Sequence, residues 1–353
     1  MIFMLKIGIL GFGGMGNWHA FNAPTIEGIH VVAVHDIDPQ RLADGKAMGF
    51  KAYENRKEFL SDPEIDLVII SVPNYLHMPF AIEALEAGKN VLVEKPVSLN
   101  VNEFDEIWDA AKRTGKLFTV HHNRRWDRDY LVMRRTLEGG MIGKVYSVDS
   151  RAYGTNGKMY GWRMKPEFGG GMVYDWGVHL IDQFTAMYAT KKISSVYAQT
   201  RSIINPDVED MFKIELVFAE GPSVHIEVGT FALRKLPRFF AIGDLGSLSI
   251  NDMMGEDGGI TLLKERMEEM GRVIVNTPYG PTRTMAPQPD ECFIDLTLPK
   301  IEEDWTGFYK NLVDVMNGKG ELMVTPESVR RTMLVVDAVF ESARTNRVVD
   351  LNI

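Results

Sequence analysis

The stretch LGFGGMG, residues 10–16, constrains this chain more than any other. It sets Gly11, Gly13 and Gly16 in the spacing G-x-G-x-x-G. In a chain with 32 glycines that spacing alone is weak, and a bare strand-to-helix turn would also satisfy it. The setting makes it specific. An apolar run, KIGIL, comes before it and a helical stretch follows from about Met15. Asp36 lies twenty residues past Gly16, at the end of a second apolar run. The first glycine permits the tight turn, the second lets backbone approach a pyrophosphate, and the third packs helix on strand. The anion would sit at the helix N-terminus, where unpaired N–H groups and the dipole favour negative charge. Phe12, Gly14 and Met15 complete the loop and are expected against the same dinucleotide. Asp36 can accept hydrogen bonds from the adenosine ribose hydroxyls and would repel a ribose phosphate, so NAD is expected ahead of NADP. Arg41 close by keeps NADP open.

The first 120 or so residues continue that rhythm. VVAVHDID, DLVIISVPN, KNVLVEKP and KLFTVHHN read as strands, alternating with helices over 41–48, 79–87 and 101–114. Continuous β-branched runs such as Leu67–Val72 suit strands buried on both faces, as in a parallel sheet with helical crossovers. The expected fold is a Rossmann-type, doubly wound α/β domain over 1–122. After Asn123 the texture changes to KVYSVDSRA, SSVYAQTRS, MFKIELVF, SVHIEVGTFA and RFFAIGD, several alternating with period two. Helices are expected over 129–138 and near 174–188. Residues 123–353 therefore read as an α+β domain on an open, mostly antiparallel sheet that binds substrate and makes the oligomer contact. A late helix, 326–345, can pack back on either domain. Residues 251–305 show no periodicity.

Composition narrows the class of protein. A chain of 353 residues exceeds the size at which one core usually keeps growing, so two domains are expected. A net charge of −9 with no basic tract argues against nucleic acid or an anionic membrane as partner. One cysteine, Cys292, leaves no internal disulfide and fits a reducing compartment. The apolar opening MIFMLKIGIL lacks a basic leader and runs into the glycine loop, so it reads as a first strand. The chain is expected in the cytoplasm.

Three further stretches carry the reading from fold to function: SVPNYLH (71–77), VEKPVS (93–98) and GGGMVYDWGVHLIDQ (169–183). With the glycine loop, in this order, they resemble the family of glucose–fructose oxidoreductase, inositol 2-dehydrogenase and related proteins (Gfo/Idh/MocA). The run NRRWD at 123–127 resembles the scyllo-inositol dehydrogenase branch. The resemblance covers the whole length and is weakest over 251–305. It implies a nicotinamide-dependent oxidation of a sugar or cyclitol hydroxyl. It also implies that Lys95 reaches the reacting hydroxyl, with His179 as acid–base group and Asp175 as its acidic neighbour. Val72, Pro73, Asn74 and His77 match positions lining the cofactor cleft, and Glu94 one that approaches the nicotinamide ribose. Trp162 and Arg163 match a pair bordering cofactor and substrate, and Asn123 a position at the nicotinamide end.

Elementary chemistry agrees. Oxidising a secondary alcohol needs a base for the hydroxyl proton and a donor or cation to hold the oxygen as charge develops. A histidine suits the first task, and Lys95, at the carboxyl end of a parallel strand, suits the second. Asp175 shares a face with His179 if the stretch is helical. Each feature also has a plainer reading: E-K-P as a wet turn, Asp175 and His179 as a surface pair. No metal is expected, because adjacent His121 and His122 on a strand point to opposite faces. Two other activities stay open, an NAD-dependent glycoside hydrolase of the same superfamily and an NADP-linked sugar or aldose reductase. A non-catalytic dinucleotide-binding regulator ranks below them, since Lys95 and His179 are both present. The alternating strands would leave a sheet face bare, so a homodimer or homotetramer through that sheet is expected.

Overall fold

The computed structural model describes residues 4–282 and 286–353. Met1–Phe3, part of the expected first strand, lie outside the described residues, as do residues 283–285 of the segment without periodicity.

Six strands form the first sheet: β1 (Leu5–Leu10), β2 (Ile29–His35), β3 (Lys51–Tyr53), β4 (Leu67–Ile70), β5 (Asn90–Val93) and β6 (Phe118–Val120). Their order is β3-β2-β1-β4-β5-β6 and every pair is parallel. Apolar runs bury the central strands on both faces, β4 completely, while the edge strand β3 keeps Lys51 exposed. Helices α1 (Gly14–Asn22), α2 (Pro39–Ala47), α3 (Arg56–Ser61), α4 (His77–Glu86) and α5 (Val101–Thr114) make the crossovers. Side-chain caps start several of them: Asp38 accepts from the Gln40 N–H, and Asn100 from the Glu103 N–H. The order reverses between β1 and β4, so ligands belong at the carboxyl edge there.

Helix α6 (Arg128–Glu138) leads into a second sheet built from β7 (Val145–Tyr153), β8 (Ile193–Arg201), β9 (Met211–Phe218), β10 (Ser223–Gly229), β11 (Phe239–Gly243), β12 (Gly246–Ile250) and β13 (Gly258–Leu263). A small hairpin, β14 (Val275–Thr277) with β15 (Gly280–Thr282), stands apart, while β16 (Phe293–Leu296) and β17 (Val349–Asp350) close the two edges. The nine-stranded sheet is antiparallel except where β7 and β10 run parallel. Residues 251–305 therefore hold strands that periodicity did not reveal. Strands β12 (GSLSI), just before that segment, and β13 (GGITLL), within it, were not anticipated, and each opens on glycine.

Helix α7 (Val178–Met187) and the late helix α9 (Pro326–Thr345) cover one face of this sheet. Helix α9 packs on both halves of the molecule rather than one. Arg330 pairs with Asp105 and Asp337 accepts from the Val101 N–H on one side. On the other, Ser342 accepts from Ala198 and Thr332 bonds Thr185. An unpredicted helix, α8 (Thr306–Met316), sets Phe308 and Tyr309 against the first domain. The open face of the second sheet is polar: Arg151 pairs with Asp149 at 2.6 Å and Lys213 with Glu227 at 2.8 Å. Charged pairs such as these belong to the wet face that a period-two pattern leaves. No helix among the described residues is long and apolar enough to cross a membrane.

Candidate active site

The carboxyl edge of the parallel sheet opens into a cleft of about 810 Å³. At one end lies the glycine loop. Gly11 has φ +93°, and a Cβ there would stand 2.5 Å from the Ser71 carbonyl oxygen. A Cβ on Gly16 would stand 2.1 Å from the Gly11 carbonyl oxygen. At Gly13 and Gly14 an added Cβ would meet nothing within 4 Å. The outer glycines thus serve protein contacts, while the middle pair leaves a surface that backbone alone presents. Gly13 caps α1 without any side-chain bond, so the helix start keeps its N–H groups for an anion. Asp36 accepts the Phe12 N–H at 2.6 Å through Oδ2 and the Asp38 N–H at 2.9 Å through Oδ1. Each oxygen retains a lone pair, and the carboxylate still lines the cleft. An uncapped helix start, a surface free of Cβ atoms and a carboxylate at the end of β2 fit a dinucleotide.

Val72 and Pro73 line the middle of the cleft, and the Asn74 amide donates to the Gly169 carbonyl at 2.8 Å. His77 is buried, with Nδ1 2.6 Å from the Pro96 carbonyl oxygen and Nε2 2.9 Å from that of Val72. Burial pushes its pKa down, although both carbonyls pull the other way. The ring ties the segment after β4 to the one after β5. The Lys95–Pro96 peptide is cis.

At the far end, Lys95 Nζ donates to the Asp175 carbonyl oxygen at 2.6 Å and approaches its Oδ1 at 3.2 Å. Arg163 Nε stands 3.4 Å from the same Oδ1. Burial would raise the Asp175 carboxyl, but Lys95 and Arg163 outweigh it and hold it below the usual carboxylate range. Asp175 lies in a π-helical turn, Val173–Gly177, that runs into α7. Such turns frequently mark functional sites, and here the spacing to His179 is not that of a regular helix. Among the described residues no hydrogen bond joins Asp175 to His179; the acid faces the lysine instead.

His179 is 6% exposed, and its Nδ1 is buried without a hydrogen-bond partner among the described residues. Burial, then the charges of Lys95 and Arg124, hold its pKa well below that of an ordinary histidine, so the imidazole is a neutral base. Glu94 is buried on the cleft floor. Its Oε1 accepts from His121 Nδ1 at 2.7 Å and lies 2.9 Å from His19 Nε2, while Oε2 takes the Lys95 N–H. Burial would raise its pKa, but the two imidazoles hold it well below the carboxylate range. His19 Nδ1 in turn bonds the Tyr309 hydroxyl. Ligand atoms of His19, Glu94 and His121 lie within 4.8 Å of one another, yet both rings point at the same carboxylate oxygen, which makes an imidazole–carboxylate chain. His122 faces the opposite way, toward Asp182 and His179.

Of the residues singled out in the sequence, Gly11, Gly13, Gly14, Met15, Asp36, Val72, Pro73, Asn74, His77, Glu94, Lys95, Asn123, Trp162, Arg163, Asp175 and His179 line this one cleft. Phe12 and Gly16 lie beneath the loop. Arg41 is exposed, pairs with Asp44 at 3.6 Å and is not among the lining residues. Trp18, Arg56, His121, Arg124, Tyr160 and Trp176 line the cleft without having been anticipated. Position gives a signal for Arg124, which follows Asn123 directly past the end of β6.

This fold and cleft define an NAD-binding oxidoreductase with a second, α+β domain. Residues 5–122 match the oxidoreductase family with an NAD-binding Rossmann fold, and residues 130–249 match the GFO/IDH/MocA C-terminal domain. An uncharacterised oxidoreductase of Schizosaccharomyces pombe is 30% identical over 86% of this chain and 85% of its own. The NADP-dependent scyllo-inositol 2-dehydrogenase IolW of Bacillus subtilis is 25% identical over 98% of this chain and 96% of its own. A crystal structure of an NAD-binding protein from Listeria innocua superposes with a TM-score of 0.87 at 36% identity, covering 98% of this chain and 97% of that one. The chain belongs to the Gfo/Idh/MocA family of oxidoreductases.

Proposed function

We propose that this protein is an NAD-dependent dehydrogenase that oxidises a secondary hydroxyl of a cyclitol or sugar. The observation that carries the reading is the meeting of Lys95, Asp175 and His179 in the cleft that the glycine loop opens. Gly11–Met15 would hold the pyrophosphate and Asp36 the adenosine ribose. The bound nicotinamide supplies the hydride acceptor. His179, neutral and buried, takes the hydroxyl proton. Lys95, fixed by Asp175, gives an N–H to the oxygen as negative charge grows on it. Residues 1–122 carry the dinucleotide in this reading, and residues 123–353 carry the substrate and the contact between subunits. The polar outer face of the second sheet then joins a homodimer or homotetramer, which light scattering would contradict by showing a monodisperse monomer at micromolar concentration.

The test is a panel of polyols and sugars with NAD and with NADP, read at the reduced-nicotinamide absorbance. Net NADH from a free polyol or sugar supports the reading. Release of an aglycone without net NADH would replace it with a hydrolase.

A further inference from the structure

Around His179 three cationic side chains and two carboxylates, Asp175 and Glu94, line the cleft. Lys95, Arg124 and Arg163 all line it there. Lys95 and Arg163 share the Asp175 carboxylate, at 3.2 and 3.4 Å. Glu94 is 5% exposed and already engaged by two imidazoles. Arg124 is differently placed. Among the described residues its one side-chain hydrogen bond runs from Nη1 to Asp127 Oδ2 at 2.7 Å, and Asp127 does not line the cleft. Its guanidinium carbon stands 4.4 Å from the centroid of the Trp176 ring, the residue after Asp175. The side chain keeps 28% exposure. Its charge reaches His179, where it is one of the causes that depress the imidazole.

A guanidinium anchored on one edge and backed by an indole offers its remaining donors in a fixed fork, the geometry that matches a planar or tetrahedral oxyanion. The chain as a whole is anionic, with net charge −9, and so repels acids at long range. Screening over roughly 10 Å leaves a local cation to decide what settles beside it.

We propose that the substrate is an acidic polyol or sugar, its reacting alcohol beside Lys95 and His179 and its carboxylate or phosphate group held by Arg124. This rests on the dehydrogenase reading above. The reaction balances as before. The carbinol carbon gives a hydride to oxidised NAD, the hydroxyl proton passes to His179, and a ketone remains while the anionic group is untouched.

The experiment compares matched pairs with NAD: glucose against glucuronate and glucose 6-phosphate, and myo-inositol against myo-inositol 1-phosphate. Reduced nicotinamide gives turnover, and tryptophan fluorescence gives binding, since Trp176 lies under the guanidinium. The acidic partner should show a kcat/KM at least about ten-fold above the neutral one, and the two anionic glucoses separate carboxylate from phosphate. Arg124→Gln should raise KM for the acids by ~10–100-fold, the range for losing one charged hydrogen-bond partner, and collapse the preference. Arg124→Lys should restore part of it. Neutral partners preferred by wild type, or Arg124→Gln impairing acids and neutrals alike, would overturn the proposal. Should Arg124→Gln fail to fold, the wild-type ratio and Arg124→Lys decide. Tight binding of acids with no NAD reduction by any compound would sink the dehydrogenase reading and leave the anion site standing. Oxidation of neutral polyols with no binding of acids would do the reverse.

Discussion

At the glycine-loop end of the cleft everything comes from two consecutive strands: Gly11, Phe12 and Gly13 leave β1, Asp36 leaves β2, and the Phe12 N–H joins them. At the His179 end, Lys95, Arg124, Arg163 and His179 arrive from four separated segments and meet only in the fold. The first end works through backbone, with two glycines that a methyl group would force apart and two that face open space. The second works through charged side chains with depressed imidazole and carboxyl pKa values. A binding end can therefore be local and built mainly of backbone, whereas a reacting end needs groups whose ionisation distant neighbours set.

The largest effect should fall on the second end. His179→Ala removes the proposed proton acceptor, and turnover should drop by ~10²–10⁴-fold while NAD affinity stays near wild type. A loss of NAD binding equal to the loss of turnover would erase the distinction between the ends.

Acid should act through the same buried chemistry. His19, His77, His122 and His179 are all held neutral by burial, His122 down to about 4. An unfolded histidine titrates near 6.5, so below that value the unfolded chain binds more protons. Stability is then complete above about pH 6.5 and falls as pH drops toward the folded values, by on the order of 3 kcal/mol for His122 alone. Thermal midpoints at pH 7.5, 6 and 5 should decline in that order. A flat series would show that these imidazoles charge freely in the folded state.

The glycines permit a finer cut. Gly16→Ala drives a methyl into the Gly11 carbonyl and should cost ~1–3 kcal/mol of stability. Gly13→Ala meets no protein atom, so its melting curve should hardly move while NAD affinity weakens. Equal destabilisation by both would mean that the open surface at Gly13 serves no guest. The smallest effect concerns the adenosine ribose. Asp36→Ser should narrow the NAD over NADP preference by about ten-fold, near 1.4 kcal/mol. Wild type preferring NADP would assign the cofactor choice to another lining group such as Arg56.

The same contrast explains what could be read beforehand. Helices α5 and α9 and strand β9 were legible to the residue, because period and caps agree within each segment. The glycine loop was legible because its constraint is steric and local. Helix α8 was not: Trp305, the residue before its start at Thr306, makes no capping bond, and Gly307 lies in its first turn. That glycine answers a tertiary demand, since a Cβ there would stand 2.2 Å from the Trp126 ring. Arg124 escaped for a like reason, its proposed role depending on Trp176 and His179 more than fifty residues later. Asp175 was anticipated as a partner for His179, but the π-helical turn aims it at Lys95.

The most direct test of the account is Lys95→Met, read by NAD fluorescence titration and by turnover on the best substrate of the panel. Arg163 remains to face Asp175, so the variant should fold and bind NAD within about two-fold of wild type, because its pyrophosphate and ribose contacts lie elsewhere. Turnover should fall by ~10²-fold or more. The Lys95→Met, His179→Ala double variant should be far less impaired than the product of the two losses, as befits groups acting as a unit. Near-wild-type turnover in Lys95→Met would contradict the account and return the lysine to an ordinary buried ion pair.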